Sequence, residues 1–302
     1  DITTSAQPQD IQKIFKKSIY ENNFGTVGIL TGAKENNLKI VEVTTYRLES
    51  NYLDKRHPEN IKFADDICDD LMRRDFTINA MAFKIDSVKI LKTKVKAEGD
   101  LIDLYNGQDD LSNGLIRAVR DPNERFNEDA LRMLRAMRLT SQLNFKIEKT
   151  TALAIKLNAK NLKFVSSERI RDEFIKILMS SAGAKSIVML EESGLLEYII
   201  PELIDSIGVG QNLHHIYTVY EHLINSFDYA VKQNFSLEVR LAALLHDIAK
   251  PIVKKGNGKN STFYNHEMVG AKMVKRILER LKFPNYILDK VVLLVRNHQF
   301  YY

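Results

Sequence analysis

The hydrophobic pattern changes character once along this chain, at Asp121-Pro122, and that switch limits the possible folds more than any other feature. Upstream, apolar residues come in short β-rich runs at Gly25–Thr31, Leu38–Thr45 and Ile78–Ile85, parted by polar turns such as Gly32–Asn37. Downstream they recur at the three- and four-residue spacing of amphipathic helices, with breaks at Ser181–Gly183, Gly208–Gly210, Gly256–Gly258 and Pro284. Asp121, Pro122 and Glu124 themselves supply a cap, a first-turn proline and an acid three residues after the cap. The expectation is an α+β chain: a mixed head over residues 1–118, then a helical body divided into 119–200 and 201–302. At 302 residues and 44% apolar, the chain can bury two or three cores. Within the head, Pro8–Lys17 reads as a short helix and Arg47–Asp70 as a long loop with a short helix. Val88–Val95 reads as a strand paired with Ile78–Ile85.

Just past the switch lies Arg125–Arg138, which reads as one helix. A step of three residues turns about 300°, so Asp129, Arg132, Arg135 and Arg138 fan over one half of its surface. Phe126, Ala130, Met133, Leu134 and Met137 hold the other half with the spacing of a buried face. Two readings fit the charged half. One is a solvated face with ion pairs three residues apart. The other is a base reader. A carboxylate accepts from the amino group of cytosine or adenine, and a guanidinium donates to the ring nitrogen beside it. Guanine and uracil present the reverse order, so an Asp129/Arg132 pair would admit C and A without a nucleic-acid template.

Charge points toward a polyanion. The net charge is +5, and Lys250–Lys290 carries ten Lys/Arg against Glu267, Glu279 and Asp289. A basic surface with no specific partner fits the same count. The single Cys68 excludes an internal disulfide framework and a cysteine-based zinc site, and fits the reducing cytoplasm. No apolar run approaches the ~18 residues of a membrane span, so no membrane partner is expected.

Two segments of the head place charge where a strand pattern does not need it. Glu42 shares a strand face with Leu38 and Ile40, either as an edge residue facing water or as a paired or metal-binding carboxylate. Arg73, Arg74 and Asp75 crowd the entry to a strand, which suits a triphosphate or ribose, or a local set of ion pairs.

Arg73–Ala82 resembles the RRDFTINA motif of the class II tRNA nucleotidyltransferase and bacterial poly(A) polymerase family. Asp103–Leu111 resembles its D-x-x-x-G-x-x-D-L hinge, and Arg125–Arg138 its R-F-x-E-D-x-L-R-x-x-R-A-x-R helix. Asp1–Ala6 and Glu42–Arg47 resemble two further strands of the family, in the family order. Ser167–Arg169 and Gly194–Leu203 extend the likeness into the body. The resemblance implies a polymerase-β-like head using two Mg²⁺ ions to transfer a nucleotide from CTP or ATP to the 3′-hydroxyl of tRNA. It assigns Asp1 to the metal site, with Glu42 as the third carboxylate and Asp75 as its competitor. Arg74 would contact sugar or phosphate, Asp129 and Arg132 would template the base, and Arg135 and Arg138 would hold the triphosphate. Arg47–Pro58 resembles the flexible loop of members that add the terminal A. The family's Gly-Gly-x-Val-Arg-Asp segment and first catalytic Asp belong upstream of Asp1, so the expectation is that these residues alone transfer nucleotides poorly.

A second resemblance lies in the body. His246-Asp247 on an apolar helix, with His222 upstream and His266 and His298 downstream, resembles the HD superfamily. That implies a divalent transition metal at His222, His246, Asp247 and His266, or else a retained structural domain with satisfied core histidines. The family's closing Asp does not follow His298, which weakens the expectation of hydrolase activity. His57, His214 and His215 are expected in loops or at the surface. The favoured expectation is a CCA-adding tRNA nucleotidyltransferase. Its rivals are a poly(A) polymerase of the same fold, an HD phosphohydrolase with an RNA-binding head, and a non-catalytic RNA-binding protein. Oligomeric state is not legible in the sequence.

Overall fold

The computed structural model describes residues 2–20, 25–52, 58–90, 95–212 and 216–299. Asp1, His57, His214, His215 and part of the Arg47–Pro58 segment lie outside the described residues. The chain forms two compact units, one of Asp1–Asn113 with Arg117–Asp121, the other of Gly114–Ile116 with Pro122–Tyr302. No helix among the described residues is long and apolar enough to cross a membrane.

The first unit holds a four-stranded sheet in the order β1-β4-β3-β2, from β1 (Ile2–Thr4), β2 (Ser18–Ile19), β3 (Thr26–Leu30) and β4 (Ile40–Thr45). β1 runs parallel to β4 with Ile2 opposite Val43, and β3 runs antiparallel to it with Gly28 opposite Glu42. Helix α1 (Pro8–Ile14) opens on its proline and buries Ile11 against Val27 and Val43. It stops short of Lys17 because the Lys17 carbonyl accepts from Leu30 N at the sheet edge. Alternation is faithful here: Val43 and Thr45 are buried while Glu42 is exposed.

The expected loop over Arg47–Asp70 is corrected. β5 (Arg47–Tyr52) and β6 (Pro58–Phe63) form an antiparallel pair, with Arg47 opposite Phe63. A two-stranded ribbon needs no continuous buried face, so its sequence can be charged and lack alternation. Helix α2 (Ile67–Met72) follows, started by the Asp66 carboxylate accepting from Cys68 N at 2.9 Å. A short 3₁₀ turn at Thr77–Asn79 leads into β7 (Met81–Ile90), which pairs antiparallel with β8 (Val95–Asp103). Val88–Ile90 therefore continues β7 through an irregularity between Ile85 and Ser87, and the partner strand is β8. The Asp103 carboxylate accepts from Gly107 N and Gln108 N, starting α3 (Gly107–Ser112). A Cβ on Gly107 would lie 2.4 Å from the Thr77 carbonyl oxygen, so this close approach requires glycine.

In the second unit β9 (Leu115–Ile116) pairs parallel with β10 (Lys146–Ile147), and between them run α4 (Pro122–Glu128) and α5 (Leu131–Leu143). The helices α6 (Lys149–Asn158), α7 (Ser167–Leu178), α8 (Gly183–Glu192) and α9 (Pro201–Ile204) follow. The last five are α10 (Val219–Lys232), α11 (Leu237–Leu245), α12 (Lys250–Val253), α13 (His266–Arg280) and α14 (Asn285–Arg296). The main packings are α5 on α7 and α8, α10 on α11, and α14 on α11 and α13.

Arg125–Arg138 is not one helix. It breaks at Asp129 and Ala130, where the Asp129 carboxylate accepts from Leu131 N at 3.0 Å and starts α5 afresh. Asp competes for backbone donors in this way, which favours helix starts over interiors. The apolar half is buried as its spacing predicts: Phe126, Ala130, Met133, Leu134 and Met137 all lie in the core. Burying a side chain the size of Phe126, Met133 or Leu134 contributes about 2 kcal/mol. The charged half is less open than expected, because Arg132 is only 8% exposed. Deeper still, Arg240 on α11 donates to the carbonyls of Leu178, at the end of α7, and Phe235, both at 2.9 Å. It serves one main-chain oxygen left over at the end of α7 and one in the loop before α11.

Candidate functional site

In the first unit the loop after α2 gathers charge around one buried acid. Asp70 has no exposed side chain, and it accepts from Arg73 at 2.6 Å and from Arg74 at 3.0 Å. Burial pushes the Asp70 carboxyl up, and the two guanidinium groups overcome this and hold it below the ordinary carboxylate range. Arg74 is thereby fixed, with its buried Nε lacking a hydrogen-bond partner among the described residues. Asp70 escaped the sequence reading, although its spacing of three and four residues from the two arginines is the helical ion-pair signal. Asp75 is buried, and its carboxylate accepts from Phe76 N at 2.9 Å and Asn79 Nδ2 at 3.1 Å, steadying the 3₁₀ turn. Glu42 instead stands exposed on β4, next to the residue that pairs with Ile2. Asp110 ties the hinge: it is buried, accepts from the Thr77 hydroxyl at 2.7 Å and takes Arg117 Nε at 3.0 Å.

In the second unit two consecutive carboxylates each hold an arginine. Glu128 takes Arg132 Nη1 at 2.6 Å and also contacts Arg125; Arg132 Nη1 reaches the Arg125 carbonyl at 3.2 Å as well. Asp129 takes Arg169 of α7, with Nη2 at 2.7 Å from Oδ2. The expected base-reading pair thus sits in a frame of four partners, Asp129 fixed by Arg169 and Arg132 fixed by Glu128. Arg135 is half-buried on α5. Arg138 lies against buried Glu173 of α7 at 2.6 Å and donates to Gln142 at 3.0 Å. The role of Arg169 was not legible, since nothing in the local pattern ties it to an acid 40 residues away.

The third cluster brings together all four expected HD residues. Asp247 is almost fully buried after α11. Its Oδ2 faces His222 Nε2 and His246 Nε2, both at 3.4 Å, and its Oδ1 faces His266 Nε2 at 3.2 Å and His298 Nε2 at 3.5 Å. His298, absent from the expected ligand set, completes a second triad, and each triad keeps its ligand atoms within 4.8 Å. His246, His266 and His298 each donate Nδ1–H to a main-chain carbonyl, of Ala243, Phe263 and Val295 respectively. That bond aims Nε2 at the cluster, as in metal-binding histidines. The Nε2 atoms of His222 and His246 are 3.0 Å apart, and those of His266 and His298 3.2 Å. Two lone pairs at such distances require a proton or a cation between them. Burial pushes the Asp247 carboxyl up, yet the imidazoles of His246, His266 and His298 that face it hold it well below the usual range. Buried Lys250 supplies positive charge as well, with Nζ 2.6 Å from Asp247 Oδ2 and 2.7 Å from the Gln211 amide oxygen. The donor set of imidazoles around a carboxylate fits a divalent transition metal.

A polymerase-type head, a helical segment carrying paired carboxylates and arginines, and a helical domain with a histidine–aspartate cluster define the class. The chain carries a poly(A) polymerase head, the RNA-binding segment that goes with it and an HD domain. Residues 1–117 match the poly A polymerase head domain, residues 144–207 the probable RNA and SrmB-binding site of polymerase A, and residues 219–302 the HD domain. Among relatives, the CCA-adding enzyme of Lactobacillus helveticus is 47% identical over 178 residues, covering 59% of this chain and 40% of that protein. That of Lactobacillus johnsonii is 42% identical over 200 residues, covering 66% of this chain and 46% of that protein. The crystal structure of the Bacillus stearothermophilus CCA-adding enzyme in complex with CTP is 26% identical, with a TM-score of 0.60 over 97% of this chain and 59% of that one. The chain spans less than half the length of the two sequence relatives.

Proposed function

We propose that this chain selects nucleotides and binds RNA in a CCA-adding tRNA nucleotidyltransferase, using CTP, ATP and Mg²⁺ to build or repair the 3′ end of tRNA. The observation that carries the reading is the locked pair: Asp129 held by Arg169, Arg132 held by Glu128, three residues apart at one helix start. Asp129 offers an acceptor to the amino group of C or A, and Arg132 a donor to the adjacent ring nitrogen. Fixing both partners in advance makes the discrimination sharp, because a wrong base leaves held polar groups unpaired. Arg135 follows on α5 on the triphosphate side, with Arg138 anchored by Glu173. Arg74, held by Asp70, contacts sugar or phosphate. In the reaction the RNA 3′-oxygen attacks the α-phosphorus, a new P–O bond forms and pyrophosphate leaves. Magnesium, when bound, neutralises phosphate charge and activates the attacking hydroxyl. Exposed Glu42 is a carboxylate suited to hold it, and the family resemblance assigns Asp1 to the same metal site; Asp75 steadies its own turn through Phe76 N and Asn79 Nδ2.

Binding of the four NTPs by calorimetry, and incorporation of CMP and AMP on a tRNA lacking its CCA end, test the reading. CTP and ATP should bind at least tenfold more tightly than UTP and GTP. Equal binding of all four discards the pair as a base reader, and repeated A addition to any RNA assigns the protein to poly(A) synthesis instead.

A second reading concerns the HD domain alone. The two triads that share Asp247 support divalent-metal binding there, by Mn, Fe or Ni in preference to Mg on ligand type. Metal analysis of protein grown with each ion tests it.

A further inference from the structure

On the side of α5 that carries Met137 and Thr140, a cleft of about 500 Å³ opens between α5, β10, α6 and α8. Its size falls in the range of ligand sites, about 300–1,000 Å³. Neither the base-reading pair nor the HD cluster lines it. Its walls are apolar, from Met137, Phe145, Ile147, Leu153 and Met189, and three lysines, Lys146, Lys156 and Lys185, stand among them. Among the described residues none of the three has a carboxylate within ion-pair distance. Glu192 and Ser193 supply the remaining polar groups. The Thr140 hydroxyl lies buried beneath the cleft wall. Thr140 is 4% exposed and its oxygen has no hydrogen-bond partner. Native structures rarely leave such a group unsatisfied without a ligand or water to complete it.

We propose that this cleft seats one unstacked nucleotide of single-stranded RNA. The base lies between Phe145, Leu153 and the two methionines, and the flanking phosphates meet the three lysines. Flat apolar slots with nearby cations are how proteins hold single-stranded RNA, by stacking and phosphate contact together. An acidic peptide would satisfy the lysines but leaves the apolar walls of Met137, Phe145, Ile147, Leu153 and Met189 without a matched group. The site rests on the RNA-binding reading of residues 144–207 and gives it an address. It also makes α5 a two-sided element, with the incoming base read at its start and the RNA anchored along its length.

The test uses the 302-residue chain with a fluorescent U-rich 12-nucleotide RNA and a tRNA lacking its CCA end. Ala152→Trp fills the cleft from its exposed rim and should weaken the 12-mer about tenfold, within the range of one stacked base, with the salt dependence unchanged. Replacing Lys146, Lys156 and Lys185 by Gln should make the slope of log affinity against log salt shallower by about 2, at about 0.7 per phosphate contact. Lys259→Gln with Lys272→Gln, far along the sequence, serves as the control for bulk charge. Melting curves check that each variant folds, and crosslinking of a 4-thiouridine RNA should map to Phe145, Met137 or Met189. RNA binding by the wild type that survives Ala152→Trp and the lysine changes overturns the cleft while leaving RNA binding intact. No binding of either RNA by the wild type overturns the RNA-binding reading and the cleft together. Binding of an acidic peptide at the cleft, with RNA affinity untouched by the variants, assigns it to a protein partner and overturns the proposal.

Discussion

The Arg169 guanidinium grips the Asp129 carboxylate across two helices, Nη2 to Oδ2 at 2.7 Å, while Asp129 Oδ1 caps Leu131 N. Both oxygens are thus held before any nucleotide arrives. Asp129→Ala should relax discrimination against UTP and GTP to within about threefold of CTP, while tRNA affinity persists. Arg169→Ala should give a milder loss, because the carboxylate remains held by Leu131 N but loses its hold on Oδ2, and Arg169→Lys should restore part of it. Competition binding among the four NTPs reads both; selectivity unchanged in Asp129→Ala sinks the base-reading role.

Glu128 is a structural partner rather than a reader. Arg125 and Arg132 are both nearly buried against it. Removing one partner of a buried ion pair typically costs about 3–5 kcal/mol. Glu128 is partly exposed, so Glu128→Ala should cost about 3 kcal/mol at the lower end of that range. Urea unfolding measures this. A loss under 1 kcal/mol would mean that the two guanidinium groups find other acceptors.

Glu148 is one source of acid stability in the helical unit. Burial pushes the Glu148 carboxyl up, but its bonds from the hydroxyls and main-chain N–H groups of Thr150 and Thr151 bring it down to about 2. A carboxyl whose folded value lies below its unfolded value stabilises the fold above the unfolded value. That contribution is complete above about pH 4.5 and fades as the pH falls toward about 2. Glu148→Ala should cost about 1 kcal/mol at neutral pH, and the difference should shrink as the pH falls through about 2. A stability difference that does not shrink with acid would refute the assignment.

The HD cluster should take up metal through both faces of Asp247. His246→Ala and His298→Ala each remove a ligand from a different triad, and Asp247→Asn weakens both. Plasma mass spectrometry on dialysed protein should show about half the metal in either histidine variant and almost none in Asp247→Asn. Metal content equal to wild type in Asp247→Asn would leave the cluster a purely structural one.

Strands and helices announced themselves wherever one face was buried. Val27, Val43 and the Phe126–Met137 stripe were legible because core burial imposes a period. The β5/β6 ribbon was not, since a pair of strands with no continuous core leaves no alternation. The break at Asp129 was hidden for a different reason. A capping aspartate and a mid-helix aspartate have the same spacing in sequence, and only the bond to Leu131 N separates them. Arg132 looked exposed by periodicity and is buried because Glu128, one turn earlier, neutralises it. Of the site, the acids and arginines were legible as residue types; of the partners that aim them, Asp70 lies one turn away, while Arg169 and Glu173 come from elsewhere in the fold. His298 follows the last helix, where periodicity offers no guide.

The histidine–aspartate cluster draws His222 from α10, His246 and Asp247 from the end of α11, His266 from the start of α13 and His298 from beyond α14. Its members become neighbours only when both helical hairpins have docked. Metal bound there would therefore work as a built-in gauge of assembly for the C-terminal third, one that a spectroscopist could follow during refolding without attaching a dye.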